Sequence, residues 1–276
     1  MQDETSHNVR HEHYTHGHAP SVVSFHATRS VADSFQYGAA KLKPGMTVLD
    51  VGCGPGSITV DMARMVAPGR VIAVDCDQGV LAQAQALASA QGVDNIEFVV
   101  MDAYALDLPD DSVDLAHAHQ LLQHLADPVA ALREMARVVR PGGIVAARDG
   151  DYSAFTWYPE SSGLDEWRRL YIAMARRNGG EPDAGRHLLA WAHAAGLTDV
   201  VATSSTWTYP ADEGSRMWGA MWAERIRHSS VADQLVDAGL ASRDYLEAIG
   251  QAWLTWSEHP DAFLFTPHGE ILATVT

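Results

Sequence analysis

Residues 48–56 read VLDVGCGPG. An apolar run ends in Asp50, turns through Gly52, Gly54 and Gly56, and gives way to helical spacing from Ser57 to Val66. A strand, a glycine-rich turn and a helix start let a nucleotide-like ligand touch bare backbone. Some 20 residues on, VIAVDCD (71–77) ends a second apolar run in Asp75, where ribose recognition expects a carboxylate that can accept two hydroxyl hydrogen bonds. A second set of residues suits acid–base work. In SVDLAHAHQLLQHL (112–125), His117 and His119 are two apart and share one strand face, with His119 nearer the turn. An imidazole titrates near neutrality, so His119 is a general-base candidate. In ARDGD (147–151), Asp149 and Asp151 flank Gly150, and either carboxylate can orient a hydroxyl or amine or take its proton. Arg148 either neutralises Asp149 or holds an acidic group of a substrate. No C-x-x-C or H-E-x-x-H spacing occurs, so no metal is expected.

These groups need a frame that brings strand ends together. Apolar runs at 48–51, 71–75, 95–101, 112–119 and 144–149 alternate with helical patterns. Asp77 caps one helix and Asp127-Pro128 opens another. Alternation of this kind gives a doubly wound α/β fold, its mostly parallel sheet covered on both faces. A sixth strand is expected at 199–209 and a last one near 271–276.

Two insertions interrupt the alternation. Residues 151–182 contain Trp167, Leu170, Tyr171 and Met174 at amphipathic helix spacing. Residues 211–262 contain two further helical patterns, one marked by Met217, Trp218, Met221 and Trp222, the other by Leu246, Ile249, Trp253 and Trp256. Both should emerge at the sheet's carboxyl edge, where ligands bind in open α/β sheets. The expected organisation is an arm and covering helix at 1–40, a core at 41–150 and 183–210, caps at 151–182 and 211–262, and a final core strand at 263–276. Of the eight tryptophans all but Trp157 lie beyond residue 160. An aromatic pocket including Tyr152, Trp157, Trp218 and Trp222 would suit a flat or apolar small-molecule substrate, or a cationic amine.

The formal charge of −16 disfavours nucleic acid and anionic membrane surfaces as partners. No apolar run approaches a membrane span, and the polar, His-rich first 20 residues do not read as a secretory leader. Two cysteines in a chain of this length fit a reducing, cytoplasmic setting.

The ordered set resembles the class I S-adenosylmethionine-dependent methyltransferases over roughly residues 40–209, most closely the ubiquinone/menaquinone-biosynthesis type. The G-x-G-x-G spacing, with Ser57 where a dinucleotide fingerprint needs glycine, opposes a nicotinamide oxidoreductase. The resemblance implies a seven-stranded sheet with a helical cap, S-adenosyl-L-methionine as cofactor and S-adenosyl-L-homocysteine as product. Asp50, Gly52, Cys53, Gly54, Gly56, Asp75 and Cys76 would line the cofactor, with Asp102 and Ala103 at the adenine and His119 and Gln120 near its methionine end. The expected acceptor is an O or C atom of an apolar or aromatic metabolite, with N open. A non-methylating cyclase or decarboxylase, a regulatory subunit and a homodimer also stay open. The two cysteines speak against the arsenic branch, and AHAHQLLQHL in place of D/N-P-P-Y speaks against the DNA branch.

Overall fold

The computed structural model describes residues 29–276. The His-rich arm and the first part of the expected covering helix lie outside the described residues.

Five strands carry the glycine loop and the acid–base candidates: β1 (Thr47–Val51), β2 (Arg70–Asp75), β3 (Ile96–Val100), β4 (Val113–His119) and β5 (Val139–Gly150). They pair in parallel in the order β3-β2-β1-β4-β5, so their carboxyl ends open on one edge. Beyond β5 come β6 (Thr156–Tyr158), β7 (Asp199–Pro210) and β8 (Phe263–Thr274). β8 runs antiparallel to all three of its neighbours, taking β5 and then β6 along one side and β7 along the other.

The sheet therefore has eight strands where seven were expected. The additional one is β6, which follows a single 3-10 turn at Tyr152–Ala154 and extends the β5 side of β8. β8 begins at Phe263, the start of the segment expected to hold the final core strand, whereas the apolar run read as that strand begins only near Ile271. Its first half hides from an apolar-run reading because its buried side chains include Thr266, His268 and Glu270.

Helices follow their caps. Ser30 and Asp33 form a capping box at α1 (Val31–Ser34), and the chain breaks at buried Phe35 before α2 (Gln36–Ala39), so the single helix expected up to residue 40 is two short ones here. Gly56 leads into α3 (Ser57–Val66), Asp77 caps α4 (Gln78–Ala90) and Asp127 caps α5 (Pro128–Val138). Then come α6 (Ser162–Arg177), α7 (Ala184–Ala194), α8 (Glu213–His228), α9 (Ser230–Asp237) and α10 (Arg243–Ser257). α9 has no counterpart in the sequence reading.

Hydrophobic packing divides by location. Each sheet face has its own apolar cluster, one with α3 and the other with α5 and α7. α6 and α8–α10 share a third cluster around Trp167, whose ring meets Trp222 and Trp253 edge-on at 4.5 and 4.9 Å. That geometry suits the ring quadrupoles. Trp167, Trp253 and Trp256 are thus packing residues of the helical layer.

α7 approaches β8 backbone to backbone where the sheet's carboxyl edge is built. A Cβ on Gly269 would lie 1.9 Å from the carbonyl oxygen of Gly185. Gly269→Ala should therefore force helix and strand apart and lower stability by about 1–3 kcal/mol; urea denaturation with unchanged stability would contradict the close approach.

Candidate functional site

The glycine loop has the backbone its sequence requires. Gly52, Gly54 and Gly56 have φ of 69°, 56° and 83°, values that side chains rarely tolerate. A Cβ on Gly52 would strike Leu121 at 2.9 Å and one on Gly56 would strike Ala84 at 2.7 Å, while one on Gly54 would meet none of the described residues within 4 Å. Two of the glycines thus serve packing and the third presents backbone to open space. Gly52 and Cys53 donate to the carbonyl of Val74, and Gly54 N–H donates to Asp75 Oδ2 at 3.1 Å. Asp75 Oδ1 accepts from Asp77 N–H at 3.1 Å, so the carboxylate is held in place at the end of β2. At the exit of β3, Asp102 Oδ1 accepts from Tyr104 N–H at 2.9 Å, beside half-buried Ala103. Burial, helped by the Asp50 and Asp75 carboxylates, pushes the Cys53 thiol up. Cys76 is pushed up to about 11, mainly by burial and then by Asp75. Neither is a thiolate nucleophile near neutral pH.

One face of the sheet carries a buried polar row. Asp50 accepts from Thr59 Oγ1 at 2.6 Å and meets His117 Nδ1 at 2.8 Å, with both carboxylate oxygens engaged. In the next register row, His119 pairs with Arg148, Arg148 with Glu270 and Glu270 with Thr203. Arg148 Nε donates to Glu270 at 3.3 Å and to Ser205 at 3.2 Å, and its side chain is fully buried. Among the described residues, its two terminal amino groups and both ring nitrogens of His119 have no hydrogen-bond partner. Burial first, then Arg29 and Arg148, hold His119 well below the usual imidazole range. It is therefore neutral near pH 7 and a weak base.

Asp149 projects from the other face of β5, and Asp151 lies just past the strand's end. Asp149 accepts from Gln123 N–H at 3.1 Å through Oδ1, while Oδ2 is buried with no partner among the described residues. Burial lifts its carboxyl to about 7, against the pull of the Gln123 and Leu122 amides and of Arg148. Asp151 binds the Arg186 guanidinium with both oxygens, Oδ2 at 2.6 Å, and caps the 3-10 turn through Ala154 N–H. The expectation that Arg148 neutralises Asp149 as an ion pair is corrected: its partner is Glu270, on the opposite face.

Above this edge lies a partly enclosed pocket. One wall comes from α8 (Trp218, Met221, Trp222 and Arg225), with Tyr152 and Phe155 beside it. The facing wall is Arg29, Gln120, Trp207 and His268. Gln120 holds the rare φ of 51° at the end of β4, with its N–H on the Arg148 carbonyl at 2.7 Å. Its side-chain oxygen accepts from Arg29 at 2.5 Å and its amide nitrogen lies 2.8 Å from His268 Nε2. His268 Nδ1 donates to the Thr266 carbonyl, so Nε2 is the acceptor and Gln120 the donor.

Comparison with known proteins agrees with this architecture. A methyltransferase domain model matches residues 42–189. An uncharacterised methyltransferase of Schizosaccharomyces pombe is 32% identical over 271 residues, 94% of this chain and 95% of that protein. The chain belongs to the class I S-adenosylmethionine-dependent methyltransferases. A ubiquinone/menaquinone biosynthesis C-methyltransferase of Hahella chejuensis is 39% identical over 112 residues, 40% of this chain and 45% of that protein. The crystal structure of an S-adenosylmethionine-dependent methyltransferase from Aquifex aeolicus superposes with a TM-score of 0.54 at 18% identity, covering 94% of this chain and all of that one.

Within this methyltransferase, Gly52, Gly54, Gly56, Asp75 and Asp102 gather at the carboxyl ends of β1–β3. Tyr152, Trp218 and Trp222 line the pocket, whereas Trp157 does not: its ring lies 4.7 Å from Arg168 and edge-on to Trp167. Asp151 is committed to Arg186, and His228 is exposed at the end of α8. Sequence reasoning missed Trp207, Arg225 and His268 as pocket residues. The signals were present: Arg225 continues the i, i+3, i+4, i+7 stripe from Trp218, and His268 continues the period-two alternation of Thr266 and Glu270. Among the described residues no group of three or more His, Cys, Asp or Glu is placed to hold a metal, and no helix is long and apolar enough to cross a membrane.

A buried carboxyl with a raised pKa favours folding most when it is protonated. The contribution is complete below about pH 4 and is lost as pH rises through about 7. Asp149→Asn should flatten the fall in unfolding free energy between those limits, by an amount on the order of a few kcal/mol. Parallel curves of unfolding free energy for the two proteins across that range would contradict the assignment.

Proposed function

We propose that this enzyme binds S-adenosylmethionine across the carboxyl ends of β1–β4 and methylates a small molecule in the pocket beneath α8. The carrying observation is the glycine loop: Gly54 offers bare backbone to open space at the β1 turn, beside a carboxylate fixed at the end of β2. A side chain at position 54 would project into that space. The residues present fit the cofactor. Asp75 would accept from the ribose hydroxyls, Asp102 and Ala103 would meet the adenine, and residues 52–56 with Gln120 would carry the amino-acid end. Asp50 has both oxygens engaged from within, so its role is to hold the loop and β4 together. When bound, the cofactor supplies a methyl group activated on a positively charged sulfur.

The remaining tasks fall to the chain. Trp218, Trp222 and Phe155 exclude water from the pocket and hold a flat acceptor in line. His119 can accept a hydrogen bond at either ring nitrogen but holds a proton poorly. Asp149, near pH 7, is the better-matched base by pKa, yet its face of β5 is not that of the polar row. The reading favoured is an acceptor atom already nucleophilic in the pocket, an O or C atom of an aromatic or apolar metabolite.

Incubation with methyl-deuterated S-adenosylmethionine and a metabolite extract of the host should yield a labelled small molecule by mass spectrometry. A protein that binds the cofactor and yields no label would contradict methyl transfer and favour a non-methylating or regulatory role. Asp75→Ala should weaken S-adenosylhomocysteine by about tenfold or more in calorimetry; unchanged affinity would contradict the ribose assignment.

A further inference from the structure

The charge of the pocket is opposite to that of the molecule. The chain carries a formal −16, yet Arg29 and Arg225 line the pocket and, among the described residues, no carboxylate does. A third guanidinium, Arg148, lies directly beneath Trp207. On α8, Trp218, Met221, Trp222 and Arg225 form one buried stripe, so an otherwise apolar helix face keeps a single planar cation at its far end. Guanidinium is the side chain best shaped for a planar or tetrahedral anion.

The indole faces point the same way. Arg29 and Arg148 lie 5.3 and 4.6 Å from the Trp207 ring centre, and Arg225 lies 5.3 Å from that of Trp222. On Trp207 and Trp222, cation–π seats that a quaternary or protonated amine would use are thus taken by the protein's own cations. His268 is buried and, like His119, held in the neutral form beside Arg148 and Arg29. A cationic amine would enter a field of its own sign.

We infer that the methyl acceptor is an anion with an aromatic or apolar body, its carboxylate or phosphate group held by Arg225 and its body packed on Trp218 and Trp222. This rests on the pocket beneath α8 being the acceptor site of the proposed methyltransferase. It excludes the cationic amine that the tryptophans alone would have allowed.

The test is calorimetry on the full chain saturated with S-adenosylhomocysteine, titrated with 1-naphthoate, 1-naphthyl phosphate, 1-naphthamide and 1-naphthylmethylamine at up to millimolar concentration. One of the two acids should bind about tenfold or more tighter than the amide, with the amine weakest. The tighter acid distinguishes carboxylate from phosphate. Affinity for that acid should fall with added salt, and that for the amide should not. Arg225→Gln should abolish the preference while leaving S-adenosylhomocysteine affinity intact, and Arg225→Lys should keep part of it. An amide or amine that binds as well as the acids, an unchanged preference in Arg225→Gln, or no binding by any of the four would overturn the inference. Failure of the wild-type chain to bind S-adenosylhomocysteine would instead strike the cofactor reading.

Discussion

The arrangement of the site depends on one buried ion pair, Arg148 with Glu270. Arg148 sits on β5, Glu270 opposite it on β8, and Thr203 and Ser205 on β7 complete the carboxylate's hydrogen bonds. Three strands are thereby tied together at the point where the sheet turns from parallel to antiparallel. A charge removed from water in this way is tolerated only with good partners. Here they include the indole of Trp207, stacked over the guanidinium at 4.6 Å. Trp207 then does two further things: its Nε1 donates to the Asp33 carbonyl, fastening α1 to the sheet edge, and its ring forms a wall of the pocket. Removal of the pair would loosen strand register, pocket wall and N-terminal helix together.

Two demands are met by two kinds of structure. A nucleoside needs close backbone contact and fixed carboxylates, which parallel strands ending in glycine turns provide through local geometry. On the proposed reading an acceptor would need a shaped cavity, and the helical layer, packed edge-to-face around Trp167, holds the α8 wall that would bound it. The pocket lies between these parts. Residues from the ends of β4, β7 and β8 face residues from α8, and Gln120 joins them by bonding Arg29 on one side and His268 on the other.

Legibility in the sequence followed this division. The strand ends that carry the glycine loop, Asp75 and Asp102 could be read because each is a local strand-to-loop turn marked by an apolar run and its following residues. The helices of the insertions could be read from periodicity, since Trp167, Leu170, Tyr171 and Met174 are all buried as spaced. What stayed hidden depends on pairing at a distance. Glu270 became the partner of Arg148 only through antiparallel pairing across 122 residues. The nearer aspartate, Asp149, lies on the wrong face of its strand. β8 was read short because Thr266, Pro267, His268 and Gly269 break the apolar run that marks a buried strand. Trp157 shows the converse: an aromatic at the right edge can still belong to packing.

The central claim is that the glycine loop and the pocket beneath α8 are the two halves of one methyl-transfer site. A crystal structure of the full chain with S-adenosylhomocysteine tests it most directly. The account predicts the ribose hydroxyls on Asp75, the adenine beside Asp102 and Ala103, and the thioether sulfur open towards the space between Gln120 and Trp222. A ligand bound elsewhere, or a sulfur walled off from that space by Trp207 and Gln120, would contradict it.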